Sequence, residues 1–388
     1  MKHFVKILSC ACLLVACNIH NAFALMEAIM TEERTIDDQI KLRVELPLAY
    51  EPICIVGAGY GAGIAQALSS KHSPVLIDTD KETVDYINKF NQHPKFATSF
   101  LSDKILATTE FFPLQHAKHI FLAIPSDVLL KFCEEHKEEF NPDSNIIILS
   151  KGLLVEDGKV CTLLDKVQQI TGKKKRNIFV MAGASFVGEL IIGNAPACLN
   201  IAGRNPYETD RLADYFSTDK LYVEPSYDYI SLSVTGALKN VAAIGCGIVK
   251  GLFSDGNYKN ALFAVQSLAK QDIISICKFL SRDDAFEMAQ FALPTFIEAD
   301  IGLTCSNKES RNMSFGIHLA KRYEQEEWTG GLVEGIQAAQ CLEVLRKDLP
   351  TLRVLPYVLD VINKEISAET FLKRVLTKPE HMKPYPGS

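Results

Sequence analysis

The sequence predicts an α/β protein in two parts, a doubly wound parallel sheet followed by an all-helical region. Three observations predict it. Short apolar runs alternate with helical patterns through the first half, a glycine-rich turn joins the first run to the first helix, and after about residue 225 long helical stretches replace the runs. A chain of 388 residues exceeds what one hydrophobic core supports, so two domains are expected.

Pro52 to Val56 is an apolar run ending in glycines, as a buried parallel strand requires. Ile64 to Ser70 reads as a helix, Pro74 to Ile77 as the second strand, and Lys81 to Phe90 as the next helix. Ile120 to Ile124 is a third strand, stopped by Pro125-Ser126, with a helix over Ser126 to Glu139. Asn145 to Leu149 is a fourth, stopped by Ser150-Lys151-Gly152, and Val160 to Thr171 follows as a helix. Asn177 to Met181, ending at Gly183, is a fifth strand, and Ala197 to Ile201 is a candidate sixth. Leu221-Tyr222-Val223 gives out at Glu224-Pro225, which places the domain boundary there. Helical stretches over Ser233 to Val249, Ala261 to Leu280 and Asp283 to Phe291 then build the second domain. The expected division is a sheet domain over 51–224 and a helical domain over 225–375. Before them lie an arm or linker at 26–50, and after them a loose proline-containing tail at 376–388.

Composition narrows the function. Hydrophobic residues at 47% and charged residues at 23% describe an ordinary globular chain, and a net charge of -6 offers no basic field for nucleic acid or an anionic membrane. The basic run Lys173 to Arg176 reads as a solvated turn. The 11 cysteines form no Cys-x-x-Cys pair and no His-Glu-x-x-His accompanies them, so no metal site is expected. Buried free thiols in a reducing compartment explain them better than a disulfide framework.

The N-terminus pulls the other way. Lys2 and Lys6 precede a short apolar run, Ala22-Phe23-Ala24 has the form of a signal-peptidase site, and Leu14 to Cys17 looks like a lipoprotein box. The run is too short to span a membrane. Residues 1–25 are therefore either a signal or an upstream extension. A dinucleotide-dependent chain belongs in the cytoplasm, and export stays open as the alternative.

The glycine turn carries the first chemistry. Gly57, Gly59 and Ala62 meet the Gly-x-Gly-x-x-Gly/Ala spacing of a Rossmann dinucleotide site, with Tyr60 and Gly61 inside the loop. Gly57 permits the tight turn, Gly59 lets a pyrophosphate approach the backbone, and Ala62 keeps helix and strand close. The phosphates would sit on free N–H groups at the helix N-terminus. Asp78 ends the second strand, where a carboxylate accepts from ribose hydroxyls and repels a 2′-phosphate, favouring NAD over NADP. Its plainer role is to cap the following helix, together with Thr79 and Asp80.

A series of segments in order resembles the NAD-dependent glycerol-3-phosphate dehydrogenase family over residues 51 to 365. They are Phe121 to Ser126, Ser150-Lys151-Gly152, and Gly183-Ala184-Ser185-Phe186 with Glu189. Further along come Gly236-Ala237-Leu238-Lys239-Asn240-Val241, then Asp300 with Leu303-Thr304-Cys305, then Ser310-Arg311-Asn312 with Phe315-Gly316, and Val333-Glu334-Gly335. The resemblance implies reversible conversion of dihydroxyacetone phosphate and sn-glycerol 3-phosphate with NAD(H), and a homodimer. It implies catalytic roles for Lys239, Lys151 and Asp300. Asn240, Thr304, Arg311, Asn312, Gly183 and Ser185 would bind substrate, and the glycine loop, Asp78, Pro125, Lys151, Arg311 and Glu334 would bind the cofactor.

Physical chemistry agrees with these roles. Partial burial and a neighbouring lysine would lower the Lys239 pKa and make it a better proton donor, where a surface-snorkelling lysine would do nothing. Arg311 offers a fork for phosphate oxygens, aided by a helix N-terminus if one begins near Ser310. Cys305 reads as packing. The chain departs from the family at Gly61, where an aromatic residue is usual, at Ala184 for proline, at Ala97-Thr98-Ser99 for Leu-Pro-Gly, and at Ser233 for an acidic residue. These departures leave two alternatives, a related dehydrogenase acting on another hydroxy acid or sugar acid, and a non-catalytic dinucleotide-binding protein.

Overall fold

The computed structural model describes residues 35–45, 51–172, 174, 177–193, 196–253, 256–281, 293–307, 310–322 and 327–377. The signal-like run, the tail beyond 377 and the helix expected over Asp283 to Phe291 lie outside the described residues. The strands are β1 (Ile53–Val56), β2 (Val75–Ile77), β3 (Leu106–Thr108), β4 (His119–Leu122), β5 (Asn145–Ile148), β6 (Leu153–Glu156), β7 (Lys159–Thr162), β8 (Ile178–Ala184), β9 (Ala197–Gly203) and β10 (Leu221–Ser226).

Eight of the strands form one sheet in the order β10-β9-β8-β5-β4-β1-β2-β3. From β3 to β8 neighbours are parallel, in the strand order of a dinucleotide-binding fold. β1 lies between β2 and β4, with Ile55 opposite Leu76 on one side and Phe121 on the other. The sheet is not wholly parallel as expected, because β9 runs antiparallel to β8 and β10 follows β9. The chain leaves β8 into a short helix, α6 below, that packs on the first sheet helix. It re-enters from the same end of the sheet, so β9 must run the other way. β6 and β7 form a separate antiparallel hairpin. Asp157 (φ 49°) and Gly158 (φ 72°) turn it, the pair of positive-φ residues that a tight hairpin turn demands. That hairpin takes the first residues of the helix expected from Val160; the helix begins at Leu163.

The helices are α1 (Ile36–Glu45), α2 (Ala58–Leu68), α3 (Lys81–Phe90), α4 (Ser126–His136), α5 (Leu163–Thr171), α6 (Val187–Ile192) and α7 (Pro206–Phe216). After the sheet come α8 (Tyr229–Leu252), α9 (Lys259–Leu280), α10 (Thr295–Ser306), α11 (Arg311–Arg322), α12 (Glu334–Gln340), α13 (Leu342–Asp348), α14 (Leu355–Ile362) and α15 (Ala368–Leu376). Local chemistry sets their ends. Asp80 caps α3 by accepting from the Glu82 N–H, and Asn91 ends it in the left-handed region. Thr162 caps α5 by accepting from Asp165, and Gly172 ends it. Asp228 caps α8 by accepting from Ser231.

The sheet is covered on both faces. Ile64, Val84, Leu190 and Leu212 bring α2, α3, α6 and α7 to one face. Ile40, Leu129 and Leu163 bring α1, α4 and α5 to the other, where Tyr229 and Leu232 of α8 and Ile297 of α10 also pack. Ile36–Glu45 lies inside the segment expected as an arm or linker, yet it is a helix with Ile40 and Val44 buried against the sheet.

A second core joins the later helices around α8. By length and hydropathy α8 could cross a membrane, but 94% of its apolar window is buried inside the protein, so that apolarity is spent on the core. α8 and α11 cross at contact distance through two glycines. A Cβ at Gly247 would stand 2.1 Å from the Met313 carbonyl oxygen, and one at Gly316 would stand 2.1 Å from that of Ile244. This approach brings Asn312 of α11 against Asn240 of α8.

Candidate active site

Two turns at the carboxyl end of the sheet clasp each other. The Ser126 hydroxyl donates to the Lys151 carbonyl at 2.7 Å, and the Ser150 hydroxyl donates to the Ile124 carbonyl. Lys151 therefore leaves β5 from a fixed turn beside Pro125, the residue just before α4. Sequence reasoning gave neither serine a role, and their position beside Pro125 and Lys151 was the available signal.

α8 and α10 supply the centre. Lys239 is 3% exposed, ion-paired to Asp300, and donates to the Thr304 hydroxyl at 3.0 Å. Thr304 in turn donates to Asp300 at 3.2 Å, one helical turn away on α10. A Cβ built on Gly236, one turn before Lys239, would stand 3.9 Å from the Lys151 side chain, so α8 lies directly against Lys151.

This crowding of charge sets the acidities. Burial and then the Lys151 charge pull the Lys239 pKa down to about 8, against the support of Asp300. Burial also opposes the charge on Lys151, but Asp300 and Glu334 outweigh it and hold Lys151 above the ordinary lysine range. Lys239 is thus the lysine that titrates near neutrality, and Lys151 stays a fixed cation. Ser233 stands where an acidic residue was expected from the resemblance. Its hydroxyl turns back to the Tyr229 carbonyl, and the counter-charge for the two lysines comes from α10 and α12.

A second chain of hydrogen bonds ties the helices together. Asn240 donates to Glu334 at 3.2 Å and accepts from Asn312 at 3.0 Å, while Asn312 accepts from the Gly335 N–H at 2.9 Å. α11 begins at Arg311, with the Ser310 hydroxyl accepting from Met313. Arg311 itself is exposed on the first turn, beside Asn312 in sequence and outside the Lys239 cluster.

The glycine loop sits beside this cluster, with Tyr60 close enough to feel the charges of Lys151 and Asp300. Gly57 adopts φ 97°, and a Cβ there would stand 2.7 Å from the Ala123 carbonyl. Nothing lies within 4 Å of a Cβ built on Gly59, which leaves open space over the loop. Gly61 has no such room: its Cβ would meet Ile55 at 2.7 Å, so Gly61 joins Ala62 in keeping α2 close to β1. The aromatic residue missing there is supplied one position earlier by Tyr60, whose hydroxyl lies 2.6 Å from that of Ser185. Burial raises the Tyr60 pKa, so it stays a neutral phenol. The N-cap residue of α2, Gly57, has no side chain to cap it, and no acidic residue lies in the first turn of the helix. A helix N-terminus below an open glycine loop suits a dinucleotide pyrophosphate.

Asp78 follows β2 beside the glycine loop. Its carboxylate accepts from the Ala58 N–H at 2.6 Å and the Asp80 N–H at 2.9 Å, while Asp80 caps α3. Asp78 is therefore not the helix cap, and it is held by the glycine loop. Gly183 lies within β8 opposite Leu199, where a Cβ would stand 2.6 Å from the Cys198 carbonyl. Its lack of a side chain is required by the sheet.

The family model for the NAD-dependent glycerol-3-phosphate dehydrogenase N-terminus matches residues 52–207, and the model for the C-terminus matches 228–373. The chain belongs to the NAD-dependent glycerol-3-phosphate dehydrogenase family. The sequence resemblance, the cofactor NAD and the class of oxidoreductase all hold. The chain is 30% identical over 289 residues to glycerol-3-phosphate dehydrogenase (NAD(P)+) of Photorhabdus laumondii, covering 72% of this chain and 82% of that protein. It is 29% identical to the Neorickettsia sennetsu enzyme of the same name, over 76% of this chain and 84% of that protein. A solved glycerol-3-phosphate dehydrogenase from Coxiella burnetii shares the fold, with a TM-score of 0.72 at 20% identity, covering 84% of this chain and 99% of that one. Within this family frame, the structure gathers Lys151, Lys239, Asn240, Asp300, Thr304, Asn312 and Glu334 at one place and sets Tyr60 and Ser185 at its edge.

Proposed function

We propose that the protein interconverts dihydroxyacetone phosphate and sn-glycerol 3-phosphate, with Lys239 as the proton donor and acceptor at the substrate oxygen. The observation that carries this reading is a nearly buried lysine, held by Asp300 and Thr304 and tuned to about 8 beside a second lysine. NADH, when bound, supplies the hydride. In ketone reduction the Lys239 ammonium releases a proton to the oxygen that gains negative charge, and in alcohol oxidation the amine takes it back. Asp300 and Thr304 hold Nζ in one orientation. Lys151 stabilises developing negative charge on the oxygen without titrating.

Arg311, Asn312 and the N-terminus of α11 supply positive potential for the substrate phosphate, with Ser185 and the Gly183 backbone on the opposite side. Gly57, Gly59, Tyr60, Gly61 and Ala62 take the pyrophosphate side of the cofactor, and Asp78 takes the adenosine ribose. Pro125, Lys151, Arg311 and Glu334 border the nicotinamide half. On this reading residues 51–224 bind NAD and 225–375 bind substrate, and the enzyme works in the cytoplasm as a homodimer. Its product feeds phospholipid synthesis.

The phosphate distinguishes this substrate from other hydroxy acids. Arg311→Ala is expected to raise KM for dihydroxyacetone phosphate about thirtyfold, the loss of a charge-assisted hydrogen bond. Unphosphorylated dihydroxyacetone should turn over poorly with both proteins. Equal KM in the variant and the parent, or equal turnover of the two ketones, would discard the phosphate reading.

A further inference from the structure

We propose that Asn200, on the sheet, is a positioning residue for the proton donor. It acts as a remote N-cap for α10, the helix that carries Asp300 and Thr304, and the inference rests on Lys239 being the donor.

α10 starts without a cap of its own. Pro294 precedes it and makes no side-chain cap bond, so the first N–H groups need an acceptor from elsewhere. Asn200 provides it. Its side-chain oxygen accepts from the N–H of Phe296 at 2.8 Å and from that of Ile297 at 3.1 Å, across almost a hundred residues of chain. These are the donors that a local Asn, Ser or Asp would satisfy.

Asn200 has little freedom to do otherwise. It is 1% exposed and sits in the ladder opposite Ala182 of β8 and Glu224 of β10. Its amide nitrogen donates to the Glu224 carboxylate at 3.0 Å, which fixes the carbonyl oxygen toward α10. Buried polar groups in a sheet are costly unless fully bonded, and both ends of this side chain are used.

The geometry then runs to the site. Phe296, Asp300 and Thr304 follow one another at four-residue spacing on α10, so one face of the helix carries both the capped N–H and the two partners of Lys239. Ile297 is fully buried and borders Gly236, one turn before Lys239 on α8. Fixing the first turn of α10 therefore fixes the approach of Asp300 to Lys239. This amide ties the sheet half of the molecule to the helix that holds the proton donor.

The test compares three proteins with the parent: Asn200→Ala, the Asn200→Asp/Glu224→Gln double variant, and Lys239→Ala. The double variant keeps the pattern, with a carboxylate accepting from α10 and an amide donating to it from β10. Each is assayed for kcat against pH in NADH-dependent reduction of dihydroxyacetone phosphate, for NADH affinity by fluorescence, and for melting temperature.

Asn200→Ala is expected to lower kcat about tenfold, as a small misplacement of a catalytic pair does. The alkaline limb should move to lower pH, because Asp300 withdraws its support from the Lys239 ammonium, while NADH affinity holds. The double variant should restore both kcat and the limb. If Asn200→Ala leaves kcat and the limb unchanged, or if only its melting temperature falls, the inference is wrong even though Lys239→Ala is inactive. If Lys239→Ala keeps turning over, the proton-donor reading fails first, and this inference falls with it.

Discussion

Lys239→Ala is expected to cut kcat for dihydroxyacetone phosphate reduction about a thousandfold while NADH affinity stays near that of the parent. The magnitude is that of removing a positioned general acid. Nothing nearby replaces it. Lys151 is held above the ordinary lysine range by Asp300 and Glu334 and gives up its proton reluctantly, and Tyr60 is a neutral phenol bonded to Ser185. Thr304 would be left facing Asp300 alone. Steady-state kinetics together with NADH fluorescence titration separate the chemical step from cofactor binding. A variant retaining a tenth of parental kcat would move the proton-donor role to another group.

Asp300→Ala is expected to do two kinds of damage. Asp300 is 3% exposed and is the carboxylate shared by the two lysines, so its loss leaves the buried Lys239 ammonium without its ion-pair partner and Lys151 leaning on Glu334. Breaking such a pair costs about 3 kcal/mol of stability, readable as a lower denaturant midpoint. The ammonium of Lys239 also loses its support, so its pKa drops further and less of the donor is protonated at neutral pH. That lowers kcat by about a hundredfold at pH 7 and shifts the alkaline limb downward. Asp300→Asn should keep more stability than Asp300→Ala, since its one amide oxygen still accepts from Lys239 or from Thr304, which face separate oxygens of the carboxylate, but show the same downward limb. An unmoved limb in both variants would remove Asp300 from the electrostatics of the donor.

Much of this was legible in the residues. The alternating runs located β1, β2, β4, β5, β8 and β9, because strands buried on both faces are continuous apolar stretches, whereas Leu221-Tyr222-Val223 of β10 was read only as a domain boundary. β3 escaped because it is three residues long at the sheet edge, a length that carries no period. The β6–β7 hairpin had a clear signal in Asp157-Gly158 between apolar residues, and the helical pattern beginning at Val160 obscured it. The direction of β9 was not legible, since strand composition says nothing of orientation once a connecting helix stays at one end of the sheet. Helix α1 was hidden in a charged segment whose apolar residues, Ile40 and Val44, matter only against the sheet.

At the site, the motifs named the right neighbours and missed the ties between them. Thr304 was expected only as a substrate contact until α10 placed it with Asp300 on one face against Lys239. The exposed start of α11 shows why Arg311 could be recognised by type but not located by pattern. Asn200 had no signal at all in sequence, because its partners lie almost a hundred residues away.

The central claim is that a buried lysine, lowered to about 8 by burial and by Lys151, gives the proton. The measurement that tests it most directly is the pH dependence of kcat for dihydroxyacetone phosphate reduction in the parent and in Lys151→Met. The donor must be protonated, so the rate should fall as pH rises through a limb near 8. Removing the Lys151 cation should move that limb to higher pH even as kcat drops. A limb that stays in place in Lys151→Met, or moves to lower pH, would contradict the account.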